Sequence, residues 1–252
     1  MASFVLDSSR VCTGSIVIEE STLRARTIKQ LFFVWLILAV SITTAGNSGF
    51  PPEFLDNIAS QFGQRAKQRI IDWQQLIQES KGDSEWQTIN AVNAFFNRID
   101  FISDDRHWGQ TDYWATPVEM LSTNGGDCED FSIAKYFTLL ELGVPDERLR
   151  ITYVKALELN QAHMVLAYYE TPESEPLILD NLINKIRSAS QRSDLLPVYS
   201  FNGNNLWMSK ERGQGRAIVG GSQRINLWRD LNIRMKQERE GGSSYTAQDM
   251  AR

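Results

Sequence analysis

Apolar residues recur at helical spacing early in the chain. From Glu53 to Ser80, Phe54, Leu55, Ile58, Phe62, Ala66, Ile70, Ile71, Trp73 and Leu76 share one face. The spacing predicts a helix, led in by Pro51-Pro52 and broken by Lys81-Gly82-Asp83. Ser84 with Gln87 has the form of a capping box and opens a second helix through Trp86, Ile89, Val92, Phe95, Phe96 and Ile99. From Asp104 to Pro117 the periodicity vanishes, and this polar-aromatic stretch reads as a site-building loop. A short helical turn follows at residues 117–121, then a loop at Asn124-Gly125-Gly126-Asp127. Phe131, Ile133, Ala134, Phe137, Leu139, Leu140 and Leu142 then mark a buried helix that stops at Gly143-Val144-Pro145.

Beyond that helix the pattern changes to short runs rich in Ile, Val, Tyr and Leu. Strands are expected at residues 149–157, 164–169 and 177–179, with a turn at Thr171-Pro172-Glu173-Ser174 between the last two. Residues 198–201 and 206–208 read as a hairpin around Asn202-Gly203-Asn204-Asn205. Residues 209–221 read as a loop, and residues 224–235 as a short terminal helix or strand. The expected fold is α+β, a buried helix packed on an antiparallel sheet. The expected divisions are a leader at 1–45, a helical arm at 46–100, a core at 101–236 and a polar, disordered tail at 237–252.

The leader rests on Arg24, Arg26 and Lys29 ahead of the apolar run from Leu31 to Val40, with small residues at Thr43 and Ala45. The run is shorter than the ~20 residues of a spanning helix, which favours a cleaved secretory signal over an uncleaved anchor. The stretch before Arg24 is long for a signal, which leaves open a start downstream of Met1 and a protein without Cys12. The net charge of −5 offers no basic surface for nucleic acid. Without its leader the chain keeps Cys128 alone, and a lone cysteine in an oxidising compartment is either inert and buried or a reactive thiol.

Cys128 follows Gly125-Gly126-Asp127 and begins the apolar helix, where the helix end favours thiolate. The two histidines are His107, in the polar loop, and His163, at the start of a strand. A hairpin turning near Thr171-Pro172 sets Asp180 opposite His163, which selects His163 as the base and Asp180 as the acid that orients it. The backbone N–H of Cys128 is the expected oxyanion donor, with Gln110, Trp114 and Asn160 as side-chain candidates. Trp108, Tyr113 and Trp114 fit either a peptide groove or the core. No CxxC pair, phosphate loop or HExxH is present.

The segments Trp108-Gly-Gln-Thr-Asp-Tyr-Trp-Ala-Thr-Pro-Val-Glu119, Gly126-Asp-Cys-Glu-Asp-Phe131, Tyr153-Val-Lys-Ala156, Asn160-Gln-Ala-His-Met-Val-Leu-Ala-Tyr-Tyr169 and Leu179-Asp-Asn-Leu182 resemble the bacterial transglutaminase-like cysteine proteinases of the LapG type. The resemblance spans about residues 50–207. It implies a transglutaminase-like, papain-like core with Cys128, His163 and Asp180 as a triad. It implies a calcium-dependent periplasmic protease that cuts a large surface adhesin near its N-terminus and so releases biofilm. A LapD-like inner-membrane receptor for cyclic-di-GMP is the implied partner. Acyl transfer of transglutaminase or amidase type, or a non-enzymatic calcium-binding docking module, are the alternatives.

The implied calcium answers a physical conflict. Asp127, Glu129 and Asp130 crowd the thiol, and negative charge raises a thiol's pKa. A cation held by oxygen ligands would remove that conflict. Asp127 and Glu129 are the foremost ligands, then Asp112, then Asp130.

Overall fold

A computed structural model describes residues 49–209 and 217–240. The arm is three helices. The run expected as one helix is two, α1 (Pro52–Phe62) and α2 (Gln64–Glu79), because Gly63 takes φ 86°, a left-handed conformation that suits glycine. Helix α3 (Glu85–Phe96) opens with the Ser84/Gln87 capping box, worth about 1 kcal/mol. The arm is not a separate layer. Phe54, Ile70 and Trp73 belong to the central apolar cluster, and Trp73 Nε1 donates to Thr138 Oγ1 at 2.9 Å.

Strand β1 (Asp100–Phe101) pairs in parallel with β2 (Gly125–Gly126), so the two glycines expected as loop are strand. Between them lie α4 (Asp104–His107) and α5 (Pro117–Thr123). A second capping box, Thr116 with Glu119, starts α5, and Asn124 in the left-handed region ends it. Helix α6 (Cys128–Glu141) follows directly.

Strands β3 (Leu149–Ala156), β4 (Gln161–Tyr168), β5 (Leu177–Leu179), β6 (Arg187–Ser188), β7 (Leu195–Phe201) and β8 (Leu206–Met208) form one sheet in the order β6-β5-β4-β3-β7-β8, antiparallel throughout. β4 starts three residues earlier than the apolar run suggests, which places His163 inside the strand. Polar Gln161 continues the ladder opposite Ala156, so pairing outruns hydrophobicity. Helix α6 packs across the sheet. Phe131, Ile133, Tyr136 and Leu139 share the core with Leu149, Ile151, Leu166, Leu179 and Phe201, each burial worth roughly 1.5–3 kcal/mol.

Helix α7 (Asn226–Arg239) joins the same core through Trp228 and Leu231, and Trp228 packs on Tyr136, Phe137 and Phe201. It runs past residue 236, so the polar tail begins later than composition suggests. Residues 237–239 stay helical because Glu238 is buried against Thr116. The rest of the tail and the leader lie outside the described residues. Among the described residues no helix is long and apolar enough to cross a membrane.

Candidate active site

Cys128 is the first residue of α6, so its N–H has no acceptor within the helix and is free to bind an anion. Two close approaches position it. A side chain on Gly126 would come 2.6 Å from Asp130 Oδ2, and one on Gly125 would come 2.7 Å from His107 Cε1. Only glycine permits both. Asp130 is fully buried and staples the turn, accepting from Ala115 N–H at 2.7 Å and from Asp127 N–H at 3.1 Å.

His163 lies in β4 on the strand that packs against α6, and Met164 N–H faces the Cys128 thiol. His163 Nε2 is 2.8 Å from Asp180 Oδ1. The hairpin register differs from the expected one: Leu166 pairs with Leu179, so Asp180, one residue past β5, sits two positions from the residue directly opposite His163. A two-residue offset keeps the side chain on the same face, and the carboxylate reaches the ring diagonally. Asp180 Oδ1 also accepts from Leu182 N–H at 3.0 Å. Burial pushes the Asp180 carboxyl up, but His163, Leu182 and Arg192 together outweigh it and hold the group at about 2.

His107 is elsewhere engaged. Its Nε2 is 2.9 Å from Thr123 Oγ1, its ring packs edge-on to Trp108, and burial lowers its pKa. Trp108 and Trp114 are both 4% exposed, which makes them core. Trp114 stacks on Phe201. Gln110 lines a shallow cleft of about 350 Å³ with Ser103, Asp104, Thr111 and Asp127. Asn160 occupies the β3–β4 turn with φ 51°.

Among the described residues no cation pairs with the carboxylates around the thiol. Cys128 Sγ donates to Glu129 Oε2 at 3.0 Å. Burial first, then Glu129 and Asp127, push the thiol far up. Burial and Glu129 push Asp127 up to about 9, and burial lifts Glu129 as well. Carboxylate oxygens of Asp104, Asp112 and Glu129 lie within 4.8 Å of one another, as do those of Asp104, Asp127 and Asp130. Asp104 was not among the residues singled out from sequence. Its Oδ2 accepts from Tyr113 N–H at 2.6 Å, while its Oδ1 and Asp127 Oδ1 are buried without hydrogen-bond partners. Burial pushes Asp104 up to about 7. These orphaned acceptors and crowded hard oxygens suit a calcium ion.

The loop bearing Asp112 is held from behind by α7. Arg234 donates to Tyr113 Oη at 2.9 Å, to Trp114 O at 2.5 Å and to buried Glu119. Thr116 donates to Glu238 at 2.5 Å.

The model of the family described as bacterial transglutaminase-like cysteine proteinases matches residues 60–211. Among solved structures, Legionella pneumophila LapG treated with EGTA is similar at 45% identity and TM-score 0.64, covering 74% of this chain and 98% of that one. Calcium-bound Legionella pneumophila LapG is similar at 46% identity and TM-score 0.62, covering 73% of this chain and 98% of that one. A comparison with curated proteins found no match.

Proposed function

The chain belongs to the bacterial transglutaminase-like cysteine proteinase family, and on that premise we propose that it is a calcium-dependent periplasmic endopeptidase that cleaves the N-terminal region of a large surface adhesin. The buried His163–Asp180 pair on the strand packed against the Cys128 helix carries the reading.

In this reading Asp180, a carboxylate at neutral pH, accepts from Nε2–H of His163 and fixes that tautomer. Nδ1 is then the ring nitrogen left for the thiol proton. Cys128 Sγ attacks the peptide carbonyl carbon as its proton passes to His163. The carbonyl oxygen becomes an oxyanion beside the Cys128 N–H. The tetrahedral adduct collapses, the C–N bond breaks, and His163 returns the proton to the leaving amine. Water, deprotonated by His163, then attacks the thioester, releasing the acid and restoring the thiol.

Asp104, Asp112, Asp127 and Glu129 would hold the calcium, and Asp130 supports them by fixing the backbone. Calcium, when bound there, supplies positive charge that offsets the carboxylate field around the thiol. The calcium-bound state of Legionella pneumophila LapG supports calcium as the ion. The adhesin substrate and a LapD-like inner-membrane receptor that sequesters the protease when cyclic-di-GMP is high belong to the same proposal.

The test is direct. The protein is incubated with the N-terminal region of a large adhesin from the same cell, with calcium or with excess chelator, and fragment ends are mapped by mass spectrometry. Cleavage in calcium only, absent in Cys128→Ala, is expected. Gln-Lys cross-linked products would replace the protease reading with transglutamination. Full cleavage in chelator would remove the calcium requirement.

A further inference from the structure

The imidazole end of the site contains a charge that the scheme above does not use. Arg192 is 3% exposed, and such a cation must be paired. Its Nη2 lies 2.8 Å from Asp180 Oδ2, close enough for an ion pair though not aligned as a hydrogen bond. The same guanidinium grips Asp194 as a fork, Nε to Oδ1 at 3.0 Å and Nη2 to Oδ2 at 2.8 Å. Asp194 O accepts from Leu157 N–H at 2.8 Å, which ties this segment to the end of β3, the neighbour of the strand bearing His163. Asp180 therefore has its two oxygens committed to different partners, Oδ1 to His163 and Leu182 N–H and Oδ2 to Arg192.

We propose that Arg192 is a positioning residue that fixes the rotation of the Asp180 carboxylate and, through it, the tautomer and orientation of His163. The inference rests on the proposed triad. A planar guanidinium can bridge two carboxylates in fixed geometry, and a lysine ammonium cannot. Buried Lys135, seven residues along α6 from Cys128, also faces the field of Asp180, but burial pulls its ammonium down to about 7. Arg192 is the cation in close contact with the carboxylate. The sequence offered no signal for Arg192, which sits after a single 3₁₀ turn (Ala189–Gln191) in a stretch without periodicity.

Two histidines make the test specific. In protein labelled with ¹⁵N-histidine, the ring nitrogens of His163 report its tautomer at a pH where the ring is neutral, and His107 serves as an internal reference. The wild type should show one tautomer, protonated at Nε2. Arg192→Ala should lose that single-tautomer pattern, with the His107 signals unmoved. Should Arg192→Ala fail to fold, Arg192→Lys answers in its place, with a smaller shift in the same direction. In cleavage assays either variant should lower kcat at unchanged KM, by roughly ten- to a hundredfold for alanine, as loss of an orienting partner commonly does. A folded Arg192→Ala protein, or failing that Arg192→Lys, with wild-type His163 nitrogens would overturn the proposal. Asp180→Asn separates the two levels: if it too leaves His163 unchanged, the triad itself fails, whatever Arg192 does.

Discussion

The two sides of Cys128 are built on opposite electrostatic plans. On the imidazole side each charge has a partner: His163 meets Asp180, Asp180 meets Arg192, and Arg192 meets Asp194. Asp180 stays ionised there, held at about 2. On the acidic side Asp104, Asp112, Asp127 and Glu129 converge with no ion pair among the described residues, and Asp104 Oδ1 and Asp127 Oδ1 have neither a hydrogen bond nor a cation such as the guanidinium that faces Asp180 Oδ2. Asp104 and Asp127 are driven up to about 7 and about 9. Asp104 is buried as Asp180 is, so burial alone does not explain the difference. The imidazole side pairs its charges within the chain, whereas the acidic side gathers groups that could bind a metal ion.

The comparison can be broken most severely at its centre. Cys128→Ala should abolish cleavage while leaving the fold and calcium binding intact, read by fragment analysis and melting temperature. Asp127→Ala with Glu129→Ala should reproduce chelation: no cleavage in calcium, and loss of the rise in Tm that calcium gives the wild type, which grows with calcium concentration as mass action requires. Asp180→Asn should lower kcat by roughly 10³- to 10⁴-fold, as amide replacement does in serine triads, without altering the calcium-induced rise in Tm. An effect of Asp180→Asn on calcium binding would mean that the two sides are not separate.

pH should move the two sides in opposite directions. Asp104 and Asp127 have folded pKa values above the ordinary 3.8, so their contribution is fully present below about pH 4. It is lost as pH rises toward 7 and 9, so the chelated protein should melt lower across that window, and calcium should flatten the decline. Asp180 has a folded value below 3.8, so its contribution is present above about pH 4 and lost as pH falls toward 2. The smallest effect on catalysis is expected from Arg234→Ala. It leaves buried Glu119 unpaired at a cost of about 3 kcal/mol, lowers Tm, and weakens calcium binding modestly through the loop bearing Asp112.

Much of the fold was legible because its elements carry local signals. The Ser84 cap, the apolar face of α6 and the β5 run appear as the patterns of residues 84–99, 131–142 and 177–179 imply. The break at Gly63 was missed because the apolar face continues unbroken across it, and only the backbone angle reveals the turn. His163 and Asp180 were brought together by a hairpin whose register was two residues off, an error that preserves side-chain parity and so leaves the pair adjacent. Asp104 and Arg192 were not legible at all. Each lies in a non-periodic segment, Asp104 held by Tyr113 N–H, and Arg192 by Asp180 from another strand's end and by Asp194 two residues along.

The link between the two sides is the thiol, which donates to Glu129 rather than facing the imidazole as a free thiolate. The most direct measurement is the alkylation rate of Cys128 by iodoacetamide at neutral pH, in calcium and in EGTA, followed by mass spectrometry of its peptide in a Cys12→Ser background. A calcium ion on the acidic side predicts markedly faster alkylation in calcium, lost in Asp127→Ala/Glu129→Ala and reduced in His163→Ala. Equal rates in calcium and EGTA for the wild-type site would contradict it, since the carboxylates would then not be what restrains the nucleophile.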